Sequence, residues 1–356
     1  MMVLSDRCIE REGLMRRIGR ASVVTVCTVT LFLVSLTMGP VATRAAEKKI
    51  VITLGHVGFP KSLFSFTAQY FEKLVEGRTN GLVDVQVFHS SKLGKDKEMM
   101  EAVRLGSGSP HLALPSTVLP ATDPIFGFQE LPFLFKNRAH VTRVLEGRVG
   151  ARLAKRLEKK GYVILGYWEN GFWKITNNKR PIRTPADLKG IKLRTPKSPA
   201  RMELFRTMGA SPISMSFKEI YSALQQGVID GQENSYAQIV SAKFYEVQKY
   251  LSISNHVYTP AYLVGNKKWF KGLPRDIQYV LLFSAHDAGR YARRKGAEMD
   301  RKLFKLLEPK MQVNKINRAS FEKASQPLYD QYPKKFGAQS KWIFSEIMKA
   351  KKKKKK

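Results

Sequence analysis

The sequence has few of the residues on which covalent and metal chemistry usually depend. It contains only two cysteines, Cys8 and Cys27, in 356 residues. Both lie in an N-terminal segment that looks like an export signal, so disulfides, thiolate metal sites and cysteine nucleophiles are excluded from the rest. The six histidines include no pair at H-x-x-x-H spacing, and no Walker loop, G-x-G-x-x-G or G-x-S-x-G motif occurs. The sequence therefore predicts neither an enzyme nor a cofactor or metal site.

Acidic residues are also scarce. The chain has 29 acidic and 62 basic side chains, a net charge of +33. Such an excess is typical of proteins that bind nucleic acid, an anionic membrane surface or small anions. A solvated basic surface without any partner explains the charge equally well. Residues 349–356 are mostly lysine, which predicts a disordered tail, either native or added to the natural chain.

Residues 1–46 have the pattern of a secretory signal peptide. Arg16, Arg17 and Arg20 precede an apolar run over residues 21–41, and small residues follow it. Cleavage is expected near Ala45 or Ala46. The alternative is an uncleaved anchor, because the run is about long enough to span a membrane. An exported protein meets little nucleic acid, so the sequence predicts a periplasmic protein whose charge is explained either by binding of small anions or by its basic surface.

The remaining chain alternates short apolar runs with amphipathic segments. Residues 50–54 and 83–88 read as strands, and residues 62–78 and 96–105 read as helices. This order predicts a mostly parallel sheet covered by helices. The same rhythm restarts after Gly171 without a flexible linker, so we expect two α/β lobes joined directly by strands.

Residues 274–307 form an unusually long amphipathic segment. An apolar stripe that includes Ile277, Leu281 and Ala285 continues to Leu306. At 1.5 Å per residue the helix would be about 50 Å long, which exceeds one small lobe. It is predicted to span both lobes. The alternative is two helices broken near Gly289 or Gly296.

Two polar residues follow the pattern of a binding site. Arg194 ends a probable strand, where ligand crevices form in open α/β sheets, and its guanidinium offers two parallel donors to a carboxylate. An ion pair with a neighbouring acid is the alternative. Asn234 supplies a donor and an acceptor, although an isolated asparagine is more often a cap. Trp173 belongs to an aromatic group of mixed core and wall residues.

Several long segments resemble the solute receptors of tripartite ATP-independent periplasmic (TRAP) transporters, of the dicarboxylate-binding DctP type. The segments that carry the resemblance are residues 168–172, 176–182, 184–194, 219–234 and 241–250.

The resemblance implies a two-lobed, periplasmic-binding-protein-like clamp that closes on its ligand and docks on membrane permease subunits. It also implies a monomer and a long helix across both lobes. We expect the first lobe to comprise residues 47–171 and about 260–298, and the second residues 172–259 and about 299–348.

The resemblance also implies roles for individual residues. Arg194 matches the arginine that holds the ligand carboxylate, and Asn234 matches an asparagine that fixes it further. Four more positions match residues that line the cleft: His56, Asp96, Ser116 and Phe217.

Two departures from the family pattern affect the ligand. Trp173 stands where many relatives have an arginine, and Ser235-Tyr236 replaces a common Pro-Leu, which adds Tyr236 to the expected ligand contacts. Loss of a second cation argues against a dianion held at both ends. The expected ligand is an organic monoacid or a keto or aromatic acid.

Two other functions are compatible with the sequence. The same clamp could present its closed form to a sensor kinase instead of a permease. A basic periplasmic protein could also bind anionic polymers or a membrane surface.

Overall fold

The computed structural model describes residues 49–352, so the predicted signal peptide lies outside the described residues. Within those residues, none of the helices combines the length and apolar character needed to cross a membrane. Two sheets, each covered by helices, account for the chain between residues 50 and 315.

The first sheet has five strands in the order β2-β1-β3-β10-β4. Its strands are β1 (Ile50–Gly55), β2 (Val83–Phe88), β3 (Leu112–Ala113), β4 (Tyr162–Phe172) and β10 (Tyr258–Asn266). β1 runs parallel to β2 and β3, and β10 runs antiparallel to both of its neighbours. Because β10 is the one strand of this sheet that runs against the other four, the sheet is mostly parallel, as predicted.

The second sheet has six strands in the order β11-β9-β5-β8-β6-β7. These are β5 (Lys174–Asn177), β6 (Lys192–Thr195), β7 (Ser211–Ser214), β8 (Gly231–Asn234), β9 (Tyr250–Ile253) and β11 (Gln312–Lys315). Only the β5 pairings, with β8 and β9, are antiparallel. The register places Arg194 beside Gln232 at the centre of this sheet.

Twelve α-helices are present among the described residues: α1 (Leu63–Arg78), α2 (Asp96–Leu105), α3 (Leu119–Thr122), α4 (Arg138–Leu145), α5 (Arg148–Glu158), α6 (Pro199–Thr207), α7 (Ile220–Gln225), α8 (Tyr236–Ser241), α9 (Lys267–Gly272), α10 (Arg275–Leu307), α11 (Arg318–Ala324) and α12 (Gln326–Lys352). Short 3₁₀ segments occupy Pro124–Glu130, Pro185–Leu188, Phe217–Glu219 and Phe244–Glu246. Thr184 and Asp187 form a capping box at the second of these, which explains why the helical turn begins at Pro185.

The chain crosses between the sheets where β4 leads into β5 and where β9 leads into β10. These crossings lie beside the lobe boundaries predicted after residues 171 and 259, and we propose that the lobes divide at these two places.

The C-terminal region differs from the predicted lobe assignment, which placed residues up to 348 in the second lobe. Ile343 and Ile347 of α12 are buried in one cluster with Val141 and Val144 of α4, so α12 also covers the first lobe. α12 continues to Lys352, so the predicted tail begins as helix.

Helix α10 runs unbroken over 33 residues, which confirms the single long helix rather than two shorter ones. Its first half packs in the core of the first lobe through Ala285 and Ala288, and Leu307 packs in the core of the second. A Cβ atom at Gly289 would lie 2.6 Å from the carbonyl oxygen of Tyr167, and one at Gly296 would collide with the Glu169 carboxylate. The two glycines therefore allow β4 to approach the helix closely and do not break it.

Candidate binding site

A cleft of about 260 Å³ opens between the two lobes. The first lobe contributes the segment after β1 and the start of α2, and the second contributes the end of β6 and the turn after β7. Ligands of open α/β sheets bind outside the carboxyl ends of strands, and both β1 and β6 end here. The lining residues are Val57, Ser91, Lys95, Asp96, Lys97, Glu98, Glu101, Thr117, Val118, Arg194, Pro196, Lys197, Met215, Ser216, Phe217 and Lys218.

Arg194 is the buried cation of this cleft. It is 3% exposed, and its Nε and Nη2 donate to the carbonyl oxygen of Met215 at 2.9 and 2.6 Å. Among the described residues, no carboxylate lies within ion-pair distance of its guanidinium. Burial lowers the pKa of Arg194 to about 10, so the group remains charged at neutral pH. A buried cation that lacks a carboxylate partner favours binding of an anion.

Asp96, the first residue of α2, lines the same cleft. Burial raises the pKa of its carboxyl group to about 7, and the nearby Arg194 opposes this shift. The group therefore exchanges its proton near neutral pH. When ionised it accepts hydrogen bonds, and when protonated it also donates one.

Affinity for an anionic ligand is therefore expected to fall as pH rises through about 7, because ionised Asp96 adds a like charge to the cleft. Asp96→Asn should remove most of this dependence, which we expect to be roughly five- to tenfold in affinity. Calorimetric titrations on either side of that pH measure the effect. Glu203→Gln, at an exposed carboxylate outside the cleft lining, is the control and should keep the dependence.

The lobes touch at the mouth of the cleft. Lys95 Nζ lies 2.7 Å from a carboxylate oxygen of Glu219, and both side chains are about half exposed. The Phe217 ring, which lines the cleft, lies 5.6 Å from the Phe59 ring of the first lobe. One ion pair and one aromatic contact thus bridge the two lobes where a ligand would enter.

His56 and Ser116 are absent from the cleft lining, although each precedes a residue that belongs to it. The residues that follow them, Val57 and Thr117, line the cleft directly. His56 is fully buried, and neither ring nitrogen has a side-chain hydrogen-bond partner among the described residues. Burial lowers the pKa of His56 to about 3, so the imidazole is neutral at pH 7. One of its ring nitrogens can then accept a hydrogen bond.

Asn170 is a polar residue of this region that was not singled out as a ligand contact. Its amide nitrogen donates to Ser116 Oγ, and its amide oxygen accepts from Ser235 Oγ and Gln238 Nε2, all at 3.4 Å. It therefore links the end of β3 in the first lobe to the start of α8 in the second. Its place in the Glu169-Asn170-Gly171 motif was the available sequence signal.

The other three expected ligand residues are absent from the cleft lining. Asn234 Nδ2 donates to Gln232 Oε1 at 2.8 Å. Tyr236 packs against α10, with the Lys174 ammonium 3.9 Å from its ring centroid. Trp173 is buried in the apolar core, and its indole N–H has no partner among the described residues. The structure brings Arg194, Asp96 and Phe217 together in the cleft. Direct ligand contacts stay predictions for these three residues as for the other five.

A buried charge network beside Trp173 was not anticipated from the sequence. The Arg201 guanidinium lies 4.6 Å from the Trp173 ring centroid and forms ion pairs with Glu130 and Glu233, the latter at 2.5 Å. Glu233 also accepts from His256 Nε2 at 2.8 Å when that nitrogen is protonated. The network joins the Pro124–Glu130 segment to helix α6 and to strand β8 of the second sheet.

Two α/β lobes, a long helix shared by both and a buried arginine in the cleft between them together define a ligand-binding clamp. Among residues 49–352, no group of three or more His, Cys, Asp or Glu side chains is placed to hold a metal ion. The site thus has the features of a receptor for a small anion.

Residues 54–335 match the model of the DctP family, "Bacterial extracellular solute-binding protein, family 7". The chain belongs to this family, and it is a TRAP-type solute receptor for small organic acids. It is 37% identical over 277 residues to the 2,3-diketo-L-gulonate-binding periplasmic protein of Escherichia coli. The aligned region covers 78% of this chain and 83% of that protein. It is 34% identical over 303 residues to the C4-dicarboxylate-binding periplasmic protein DctP of Rhodobacter capsulatus, covering 83% and 90%.

Solved structures agree with this assignment. The sugar acid binding protein of Advenella mimigardefordensis in complex with galactonate has a TM-score of 0.80 and 33% identity, with 85% of this chain and 99% of that chain covered. A TRAP periplasmic solute-binding protein of a Polaromonas species bound to D-erythronate has a TM-score of 0.80 and 34% identity, with 86% and 100% covered. The predicted two-lobed fold and receptor class are confirmed.

Proposed function

We propose that this receptor binds a hydroxylated or keto monocarboxylate and delivers it to TRAP permease subunits in the membrane. The observation that supports this most is Arg194, a buried guanidinium in the cleft without a carboxylate partner. Its planar fork matches one carboxylate through two parallel hydrogen bonds. The named relatives that bind diketogulonate, galactonate and erythronate fit the same class.

The remaining cleft residues favour one carboxylate over two. Asp96 is a carboxyl group beside Arg194, suited to a hydrogen bond with a ligand hydroxyl and unfavourable to a second ligand anion. Lys97, Lys197 and Lys218 line the mouth and are exposed. Exposed cations at a cleft attract anions over a distance and raise the association rate more than the final affinity.

A thermal-shift screen of organic acids tests the proposed ligand class. A ligand at 100 times its Kd adds about 2.7 kcal/mol to the free energy of unfolding. We expect shifts from hydroxylated and keto monocarboxylates that exceed those from C4-dicarboxylates. A preference for succinate over every monocarboxylate would contradict the proposed class.

Closure of the clamp is expected to accompany binding. Ligand should reduce the radius of gyration in solution scattering, because contacts made only in the closed form shift the population towards it. A radius of gyration that does not change at saturating ligand would contradict closure of the clamp.

Lys95→Gln removes the Lys95–Glu219 ion pair at the mouth of the cleft. It should weaken ligand binding by less than about fivefold, since exposed ion pairs contribute about 0–1 kcal/mol.

We also propose that the receptor acts in the periplasm after removal of residues 1–46. Mass spectrometry of periplasmic protein should show a chain that starts close to Glu47. Recovery of only the full-length chain, and only in membranes, would contradict export with cleavage.

A further inference from the structure

A basic surface lies on helices α5 and α12, and none of its residues lines the cleft. On α5, Arg148, Arg152 and Lys155 follow one another at the spacing of a single helix face. On α12, Lys341, Lys349 and Lys351 are exposed. We call these six residues the C-terminal basic surface.

Cation–π contacts hold the two helices of this surface together. The guanidinium of Arg152 lies 4.6 Å from the Trp342 ring centroid, and that of Arg148 lies 5.9 Å from it. One carboxylate pairs with the surface: Glu346 lies 2.9 Å from Lys349 and 3.6 Å from Arg148. Within the part of the chain that the structure describes, the other four cations have no ion-pair partner. The surface therefore has a local excess of positive charge.

Stabilisation of the helix end explains only part of this charge. A cation interacts favourably with a helix C-terminus within its last turn. Lys155 lies in the last turn of α5, but Arg148 and Arg152 precede that turn and Lys341 lies well before the end of α12. The sequence also continues with lysine through residues 352–356. The positive charge that helix-end stabilisation does not explain indicates that the surface binds an external anion.

The dimensions of the surface favour an extended anion over a small one. At 1.5 Å per residue, the basic stretch is about 10 Å long on α5 and about 15 Å long on α12. Met348, which is 47% exposed, lies within the α12 stretch. We propose that the C-terminal basic surface binds the anionic phospholipid headgroups of a membrane. Membrane attachment would confine the receptor near the permease, a role beyond ligand capture itself.

Vesicle co-sedimentation tests this proposal with the chain from Glu47 onward, which contains the whole described unit. The protein should bind vesicles of phosphatidylcholine with phosphatidylglycerol but not phosphatidylcholine alone, and high salt should reverse binding. Each basic residue near the surface contributes roughly fivefold in affinity, so removal of four should weaken binding at least about 100-fold. The test variant combines glutamine substitutions at Lys155, Lys341, Lys349 and Lys351.

A control variant removes the same number of exposed lysines elsewhere, by glutamine substitution at Lys243, Lys302, Lys305 and Lys310. It should bind anionic vesicles within about threefold of the unmodified protein, because only the long-range attraction is reduced. Equal losses in both variants would overturn the proposal, as would binding to soluble polyphosphate without binding to vesicles. Both variants should keep their melting temperature and their organic-acid binding, which separates this test from that of the ligand site.

Discussion

Replacement of Arg194 by alanine is expected to reduce ligand affinity roughly 30-fold to several thousand-fold. The guanidinium is buried in the cleft, so its loss would leave a buried ligand carboxylate without a partner. Truncation of one member of such a pair costs about 2–5 kcal/mol, and about 1.4 kcal/mol corresponds to tenfold in Kd. Isothermal titration calorimetry with the ligand found by the thermal-shift screen measures the loss.

Two further measurements separate this effect from a folding defect. Arg194→Lys should recover only part of the affinity, because an ammonium group cannot form the two parallel hydrogen bonds. Arg194→Ala should still unfold cooperatively, since among the described residues the guanidinium donates hydrogen bonds only to the carbonyl oxygen of Met215. Near-normal affinity of a folded Arg194→Ala protein would contradict the proposed site.

Replacement of Arg201 by methionine is expected to lower the free energy of unfolding by about 3–5 kcal/mol. Arg201 is fully buried and lies between the carboxylates of Glu130 and Glu233, which are also buried. Removal of the shared cation leaves both carboxylates uncompensated, although His256 still contacts Glu233. Urea denaturation of the ligand-free protein measures the change.

The matched control for this substitution lies on the same helix. Arg206 is exposed and lies 3.9 Å from the carboxylate of Glu203, so Arg206→Met should change the free energy of unfolding by less than about 1 kcal/mol. Addition of Glu130→Gln and Glu233→Gln to Arg201→Met should restore part of the lost stability, because the uncompensated charges are removed. Equal effects of Arg201→Met and Arg206→Met would exclude the network as a major stabilising element.

The helices and strands could be predicted because hydrophobic periodicity and capping residues are properties of consecutive residues. The strand at Val83–Phe88 and the helix at Asp96–Leu105 have the predicted bounds, and α10 begins one residue after the predicted Pro274. Residues 217–225 divide into a 3₁₀ turn and α7. The Ser216–Glu219 capping box fixes that first turn, and periodicity alone does not distinguish the two helix types.

The positions of Arg194, Asp96 and Phe217 in the cleft could be predicted, because a single segment of sequence carries the signal for each. Arg194 follows from a strand end together with the family motif, and it lies in the cleft as expected. The Arg201 network joins Glu130, Glu233 and His256 from distant parts of the chain, so no spacing in the sequence indicates it. The placement of Trp173 beside Arg201 depends on that same long-range packing.

The most direct test of the central claim compares the ligand acid with its uncharged counterpart on the unmodified receptor. Calorimetry with the acid that the thermal-shift screen identifies and with its alcohol (the alditol of a sugar acid), which has a hydroxymethyl group in place of the carboxylate, isolates the contribution of the ligand charge. If Arg194 holds the carboxylate, the acid should bind at least about 30-fold more tightly than the alcohol. Equal binding of the two compounds would contradict the assignment of this protein as a receptor that recognises its ligand through the carboxylate.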